Sequence, residues 1–309
     1  MALYELTFGI SLRDRILQDG GDTDIRIGGT SYTTACNLRT HNGSVRQIDA
    51  IVPIGVTSES DDESFDAAVN RIFDKLTQAT EGVVLRATTY SDTHTPVSLN
   101  LVSGGHRSMV MIEGCKNRGI VMPEIPPNNG QALIVVDTYE LATPDSTYAG
   151  AVKMLAARDP DTFVTIGLGS TFVIPSAREN LQEIADVSRN LCMSGNAGEV
   201  ECLLETFGFD EVEQLMQALG VRILLRTYGK EGAQILYNFG EVIVASTYAL
   251  PEDEKYDGNT TNAGDMFLAA CLHALSTMEY ESTEPESQLT EVLAFASRTT
   301  QKLLVERGT

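Results

Sequence analysis

Short apolar, β-branched runs alternate along this chain with segments whose apolar residues recur at helical spacing. Runs at Tyr4 to Ile10, Ile48 to Ile54, Ala132 to Val136, Phe163 to Ile166, Asn190 to Met193 and Val221 to Arg226 read as strands. Helical segments fall between many of them. The clearest opens at Ser60 with Glu63 three residues on, a capping-box pattern, and places Phe65, Val69, Ile72, Phe73 and Leu76 on one stripe. Another runs from Asp210 through Val212, Leu215, Met216 and Leu219 and stops at Gly220, a residue suited to the left-handed position just past a helix end. Such alternation predicts an α/β protein with a mostly parallel central sheet and helices on both faces.

One region breaks the pattern. From Val83 to Glu113 three extended runs, VVLRATTY, TPVSLNLV and HRSMVMIE, follow one another with only SDTH and SGG between them. They predict an antiparallel meander standing apart from the main sheet, and both a lid over a cleft and an ordinary edge hairpin fit it. The whole chain, 1–309, is read as one domain, with 83–113 and part of 15–27 as a candidate β lid.

Composition narrows the partners. Lys and Arg number 22 against 43 Asp and Glu, a formal net charge of −21, which opposes binding to nucleic acid and to anionic membrane surfaces. A small anionic ligand is still possible where local donors hold it, because exposed charges are screened beyond roughly 8 Å. The first twenty residues carry Glu5 and no cationic segment ahead of an apolar run, so they do not read as a signal peptide. No apolar stretch approaches the roughly 18 residues of a membrane span. Cytoplasm is the expected compartment. Cys36, Cys115, Cys192, Cys202 and Cys271 are scattered and never spaced C-x-x-C, which suggests buried free thiols rather than a disulfide framework or a zinc site. A Walker pattern is absent, since Gly229-Lys230 is followed by Glu231. Phe172 occupies the third glycine position of a dinucleotide fingerprint begun at Gly167-Leu-Gly169.

The candidate chemistry lies in Asn259-Thr-Thr-Asn-Ala-Gly-Asp265, ahead of an almost wholly apolar helix ending at Leu275. Apolar residues surround most of that helix, so it should be buried. Its first turn leaves backbone N–H groups without intrahelical partners and carries the positive end of the helix dipole, which makes it an anion site. Thr260 and Thr261 can cap it. Ala263 and Gly264 let a phosphate approach the backbone closely. Asp265 repels phosphate, so it either stabilises the helix N-terminus or takes a proton from an attacking hydroxyl while the amides hold the transferring group.

At these residues the chain resembles the ribokinase/PfkB family of ATP-dependent sugar and nucleoside kinases, whose signature is D-[ST]-x-G-A-G-D followed by a helix. Ala263, Gly264 and Asp265 match it; Asn259 and Asn262 depart. Gly28-Gly29 followed by Thr33 and Ala35 resembles the family's G-G-x-x-x-N-x-A segment, and Gly9 with Asp14 resembles its N-terminal G-x-x-x-x-D. Asn196-Ala-Gly-Glu199 matches N-x-x-E, and Arg226-Thr-Tyr-Gly229-Lys-Glu-Gly232-Ala resembles T-x-G-x-x-G. The stretch from Phe163 through Phe172 to Glu199 looks most like the adenosine kinase branch.

The resemblance implies a ribokinase-like three-layer sandwich with a small β lid, using ATP and Mg²⁺ on a nucleoside or sugar. It implies that Asp265 is the general base and that the helix start at 263–265 supplies the anion hole, with Asn262 in place of the hole's first glycine. Asn196, Glu199, Thr227, Gly229 and Gly232 then face the nucleotide, with Glu199 organising Mg²⁺ through water. Asp14, Gly28, Gly29 and Thr33 face substrate. Glu199 as a solvated helix-start carboxylate, and Gly229 with Gly232 as a plain hairpin turn, are the alternatives. Asn259 replaces an acid near the family's monovalent-cation site, which puts potassium activation in doubt. Thirteen residues separate Asp14 from Gly28, so the lid strands usually found there should be short or missing. Two function classes remain: an active kinase, monomeric or homodimeric, and a non-catalytic relative that binds a small ligand without turnover.

Overall fold

In a computed structural model the described residues are 4–8, 12–18, 23–28, 34, 37, 48–55, 67, 83–93, 97–103, 106–112, 132–159, 161–240, 242–256, 263–276 and 284–308. The strands are β1 (Tyr4–Phe8), β2 (Leu12–Gln18), β3 (Thr23–Gly28), β4 (Ile48–Gly55), β5 (Val83–Tyr90), β6 (Val97–Ser103), β7 (His106–Ile112), β8 (Ala132–Asp137), β9 (Phe163–Gly167), β10 (Asn190–Asn196), β11 (Val221–Thr227), β12 (Ala233–Asn238) and β13 (Ile243–Tyr248). The helices are α1 (Thr138–Leu141), α2 (Thr147–Arg158), α3 (Ile174–Val187), α4 (Ala197–Phe207), α5 (Val212–Ala218), α6 (Ala263–Leu275) and α7 (Pro285–Gly308).

Nine strands form the main sheet in the order β13-β12-β11-β10-β9-β8-β1-β4-β5. Neighbours from β5 to β11 run parallel, and β12 and β13 extend the edge antiparallel. Alternation along the central strands fills two cores. Ile134, Val136, Leu191, Met193 and Leu224 face one, under α2 to α5, while Leu133, Val135, Cys192, Ile223 and Leu225 face the other, under α6 and α7. A strand buried on both faces needs a layer of helices on each side, and this is the three-layer α/β arrangement expected from the sequence.

The helix read from Asp210 is α5, with Gly220 in the left-handed region at φ 62°. The helix read from Ser60 lies outside the described residues except for Ala67, which is helical. Cys192 and Cys271 are buried free thiols and Cys202 is a half-buried one; Cys36 and Cys115 lie outside the described residues. Among the described residues no helix is long and apolar enough to cross a membrane.

One expectation is corrected. The three runs after Val83 do not form one meander, because VVLRATTY is β5 and pairs parallel with β4 at the edge of the main sheet. A β-rich run looks the same from sequence whether its partner is the next strand or a distant one, and here the distant one wins. Only β6 and β7 form the hairpin, and they belong to a second sheet of order β3-β2-β6-β7. Between Asp14 and Gly28 the strands are present and short: β2 has seven residues and β3 six, paired antiparallel, with Asp14 opposite Arg26 and Leu12 opposite Gly28.

Candidate active site

The parallel strands end on one side of the sheet, where the following chain turns into helices, and that is where open α/β sheets bind ligands. At this edge Asn196, the last residue of β10, stands in register with Thr227, the last residue of β11. Asn196 caps α4. Its Oδ1 accepts from Glu199 N–H at 3.0 Å, while Glu199 Oε2 accepts from Asn196 N–H at 2.8 Å and Oε1 from Asn196 Nδ2 at 2.7 Å. The N-x-x-E spacing is therefore a complete capping box. Burial raises the Glu199 carboxyl above its ordinary value, and the two hydrogen bonds from Asn196 oppose that rise.

A second capping box closes the end of β8. Asp137 Oδ1 accepts from Tyr139 N–H at 2.7 Å, and Glu140 Oε2 accepts from Asp137 N–H at 3.2 Å. Tyr139 lies near both boxes; burial, then the Asp137 charge, with smaller contributions from Glu199 and Glu140, push its phenol up to about 12. Its ring meets Phe172 edge to face at 5.7 Å.

Beyond β11 the chain makes a tight hairpin. Tyr228 N–H donates to Gly232 O at 2.8 Å around a single 3-10 turn over Gly229–Glu231. Gly232 has φ 111°, and a Cβ there would lie 2.3 Å from Tyr248 O, so only glycine fits. This hairpin walls a cleft of about 300 Å³. Thr227, Gly229, Lys230, Gly232 and Ala233 line one side of it, and Ala263, Gly264 and Phe267 from the start of α6 line another. Leu250, Lys255 and Tyr256 come from the segment after β13. Ser297, Thr300, Gln301 and Leu304 come from α7.

The helix that opens onto this cleft is buried through its middle: Met266 to Leu272 are all buried, as their apolar run requires, while Ala263 and Asp265 are half-buried and Gly264 is exposed. A Cβ on Gly264 would meet no atom of the described residues within 4 Å, so among them the space beside that residue is open.

The structure thus brings Thr227, Gly229 and Gly232 together with Ala263 and Gly264, over more than thirty residues of sequence. Gly229 and Gly232 do form a hairpin turn, and the same turn is the cleft wall. Asn196 and Glu199 stand on the neighbouring strand end and helix start and do not line the cleft. Asp265 lies in the first turn of α6, half-buried, between the lining residues Gly264 and Phe267 but not itself in the lining. Asp14 and Gly28 sit on the β2–β3 hairpin of the smaller sheet. Asn259, Asn262, Gly29 and Thr33 lie outside the described residues. Sequence reasoning missed the α7 wall, which carries no motif. Its one signal is that residues 297, 300, 301 and 304 fall at i, i+3, i+4 and i+7 on a single helix face.

The fold is ribokinase-like. The structure matches Anopheles gambiae adenosine kinase in complex with P1,P4-di(adenosine-5) tetraphosphate at TM-score 0.71 and 14% identity, over 97% of this chain and 95% of that one. It matches Schistosoma mansoni adenosine kinase in complex with 2-fluoroadenosine at 0.69 and 14%, over 95% and 94%. Ribokinase from Cryptococcus neoformans in complex with ADP matches at 0.63 and 18%, over 99% of each chain. The sequence itself matches no protein-family model and no curated protein.

Proposed function

We propose that this chain is an ATP-dependent phosphotransferase acting on a hydroxyl of a nucleoside or sugar. The observation that carries the reading is the cleft in which the Thr227–Gly232 hairpin meets the start of α6. A mostly apolar cleft of this size suits a nucleoside, and the helix start at its end suits the phosphates. The structures of this fold that hold a dinucleoside tetraphosphate, ADP or 2-fluoroadenosine support nucleotide and nucleoside ligands here.

Phosphoryl transfer asks chiefly for positioning and charge neutralisation, because its transition state is loose and its charge spreads over the equatorial oxygens. In this reading the N–H groups at residues 263–265 hold the transferring group, the open space beside Gly264 admits it, and Asp265 takes the proton of the attacking hydroxyl. Asp265 lies in the same helix turn, between the lining residues Gly264 and Phe267, and in this reading the acceptor hydroxyl meets it there. Asp14, Gly28, Gly29 and Thr33 are the acceptor's proposed contacts, with the smaller sheet as its lid.

The residues fit a magnesium ion that travels with ATP. Among the described residues no group of three or more His, Cys, Asp or Glu is arranged to hold a metal. Both Glu199 oxygens are already engaged by Asn196, so this carboxylate suits a water-mediated role, in line with the reluctance of Mg²⁺ to shed its hydration shell. When bound, the ion would neutralise phosphate charge.

The test is a panel of nucleosides, ribose and hexoses with MgATP, read as ADP release. Phosphorylation of one acceptor class supports the reading. Nucleotide binding with no turnover on any acceptor would instead make this chain a non-catalytic relative.

A further inference from the structure

A phosphate tail entering this cleft meets charge of the wrong sign. The chain carries a formal net charge of −21, and Asp265 sits in the helix turn proposed to receive the phosphates. A helix start offers about half a positive charge, too little to offset a triphosphate with its magnesium ion. Among the described residues that line the cleft there is no Asp or Glu, and there are two lysines, Lys230 and Lys255. Lys230 lies on the hairpin turn and is exposed. Lys255 is held more firmly. It ends the 3-10 turn Glu252–Glu254, and the next residue is pinned to the α7 wall, where Tyr256 N–H donates to Gln301 Oε1 at 3.1 Å. The Lys255 side chain is only 20% exposed, and its Nζ donates at 2.5 Å to Oε2 of Glu252, which is 88% exposed. An ion pair with so exposed a carboxylate is worth little, and it leaves the ammonium available to a bound anion.

Charge acts without a fixed angle of approach. A cleft of about 300 Å³ is on the order of one Debye length across, roughly 8 Å, so an ammonium in its wall is felt wherever in it the phosphates lie. The apolar walls from Ala233, Leu250, Phe267 and Leu304 strengthen that field.

We propose that Lys255, assisted by Lys230, is the positive site that lets this acidic chain hold a polyphosphate. Lys255 lies in no motif of the family resemblance. The proposal rests on the cleft being the nucleotide side, as proposed above. The experiment is calorimetric titration of MgATP into the full-length protein and into Lys255→Met, Lys255→Arg and Lys230→Met, each at about 50 mM and about 500 mM NaCl. Lys255→Met keeps the stem and removes the charge. Its dissociation constant rises about tenfold over wild type at the lower salt and about threefold at the higher, where screening is stronger. Lys255→Arg keeps the charge and stays within about threefold of wild type at both salts. Lys230→Met, at the more exposed position, loses about threefold at the lower salt. It also decides the matter should Lys255→Met fail to fold, as judged by its melting curve.

A loss in Lys255→Met that is equal at both salts, or that Lys255→Arg shares in full, makes the residue a packing element and overturns the proposal. So does MgATP affinity unchanged in both methionine variants; in these cases the nucleotide site stands and only the lysine assignment falls. If MgATP does not bind the wild-type protein, the nucleotide site itself falls, and the lysine assignment with it.

Discussion

Replacing Gly232 by alanine should damage the fold far more than replacing Gly229, although the two glycines share one turn. Both have positive φ, 111° at Gly232 and 61° at Gly229. At Gly229 a Cβ meets no atom within 4 Å, so alanine there bears only the left-handed penalty of about 1–2 kcal/mol. At Gly232 the new Cβ would lie 2.3 Å from Tyr248 O, 2.9 Å from Ala249 Cα and 3.0 Å from Ala249 Cβ. Two of these are backbone atoms and cannot swing aside. Tyr248 is the register partner of Ala233, so relief requires β12 and β13 to part at their first rung. Strained backbone costs about 1–3 kcal/mol and forced overpacking about as much again, so we take about 4 kcal/mol. For a chain of 309 residues the entropy of unfolding converts this to about 1.5 °C per kcal/mol. Thermal melts should therefore fall by about 6 °C for Gly232→Ala and about 2 °C for Gly229→Ala. Nucleotide affinity should fall with the first variant as well, because the displaced rung is cleft wall. Melting temperatures within about 1 °C of each other would refute the packing argument.

Gly264→Ala tests the open end of the cleft. Its Cβ meets no atom of the described residues within 4 Å, so the melting temperature should stay within about 1 °C of wild type while MgATP binding weakens by about tenfold or more; unchanged binding would mean that no phosphate approaches this residue. Glu199 gives a pH dependence. Its folded carboxyl binds a proton more tightly than the unfolded chain does, so its stabilisation is present below the ordinary glutamate value and is lost as pH rises through the raised one. The stability of wild type relative to Glu199→Gln should therefore decline as pH rises from the ordinary glutamate value, and a difference that grows with rising pH would contradict the burial argument.

How far the sequence discloses this molecule depends on whether a feature is local. The runs ending at Asp137, Gly167, Asn196 and Thr227 are apolar enough to declare central strands, and the apolar circumference of 266–272 declares a buried helix. The strands of the smaller sheet are different. LRDRILQ and TDIRIG carry a charge or polar group at nearly every other position, a pattern that suits an exposed sheet and a loop alike. β5 was legible as a strand, but not its partner, because parallel pairing with β4 is set by packing across the sheet rather than by the chain between them. In the candidate site, motif order along the chain places Thr227, Gly229 and Gly232 against Ala263 and Gly264. The residues from Leu250, Tyr256, Ser297 and Gln301 were hidden, since a cleft wall made by one face of a long helix needs the tertiary fold to give it a neighbour.

The central claim is that α6 begins where phosphate is transferred and that its carboxylate acts on the acceptor hydroxyl. The direct measurement is turnover by Asp265→Asn beside its MgATP affinity, on whichever acceptor the wild-type protein phosphorylates. Loss of a general base predicts a fall in kcat of about 10²- to 10⁴-fold, with nucleotide affinity kept or improved because a negative charge beside phosphate is gone. Turnover within about tenfold of wild type would contradict the account, since a carboxylate that merely stabilises a helix end has no part in the chemistry.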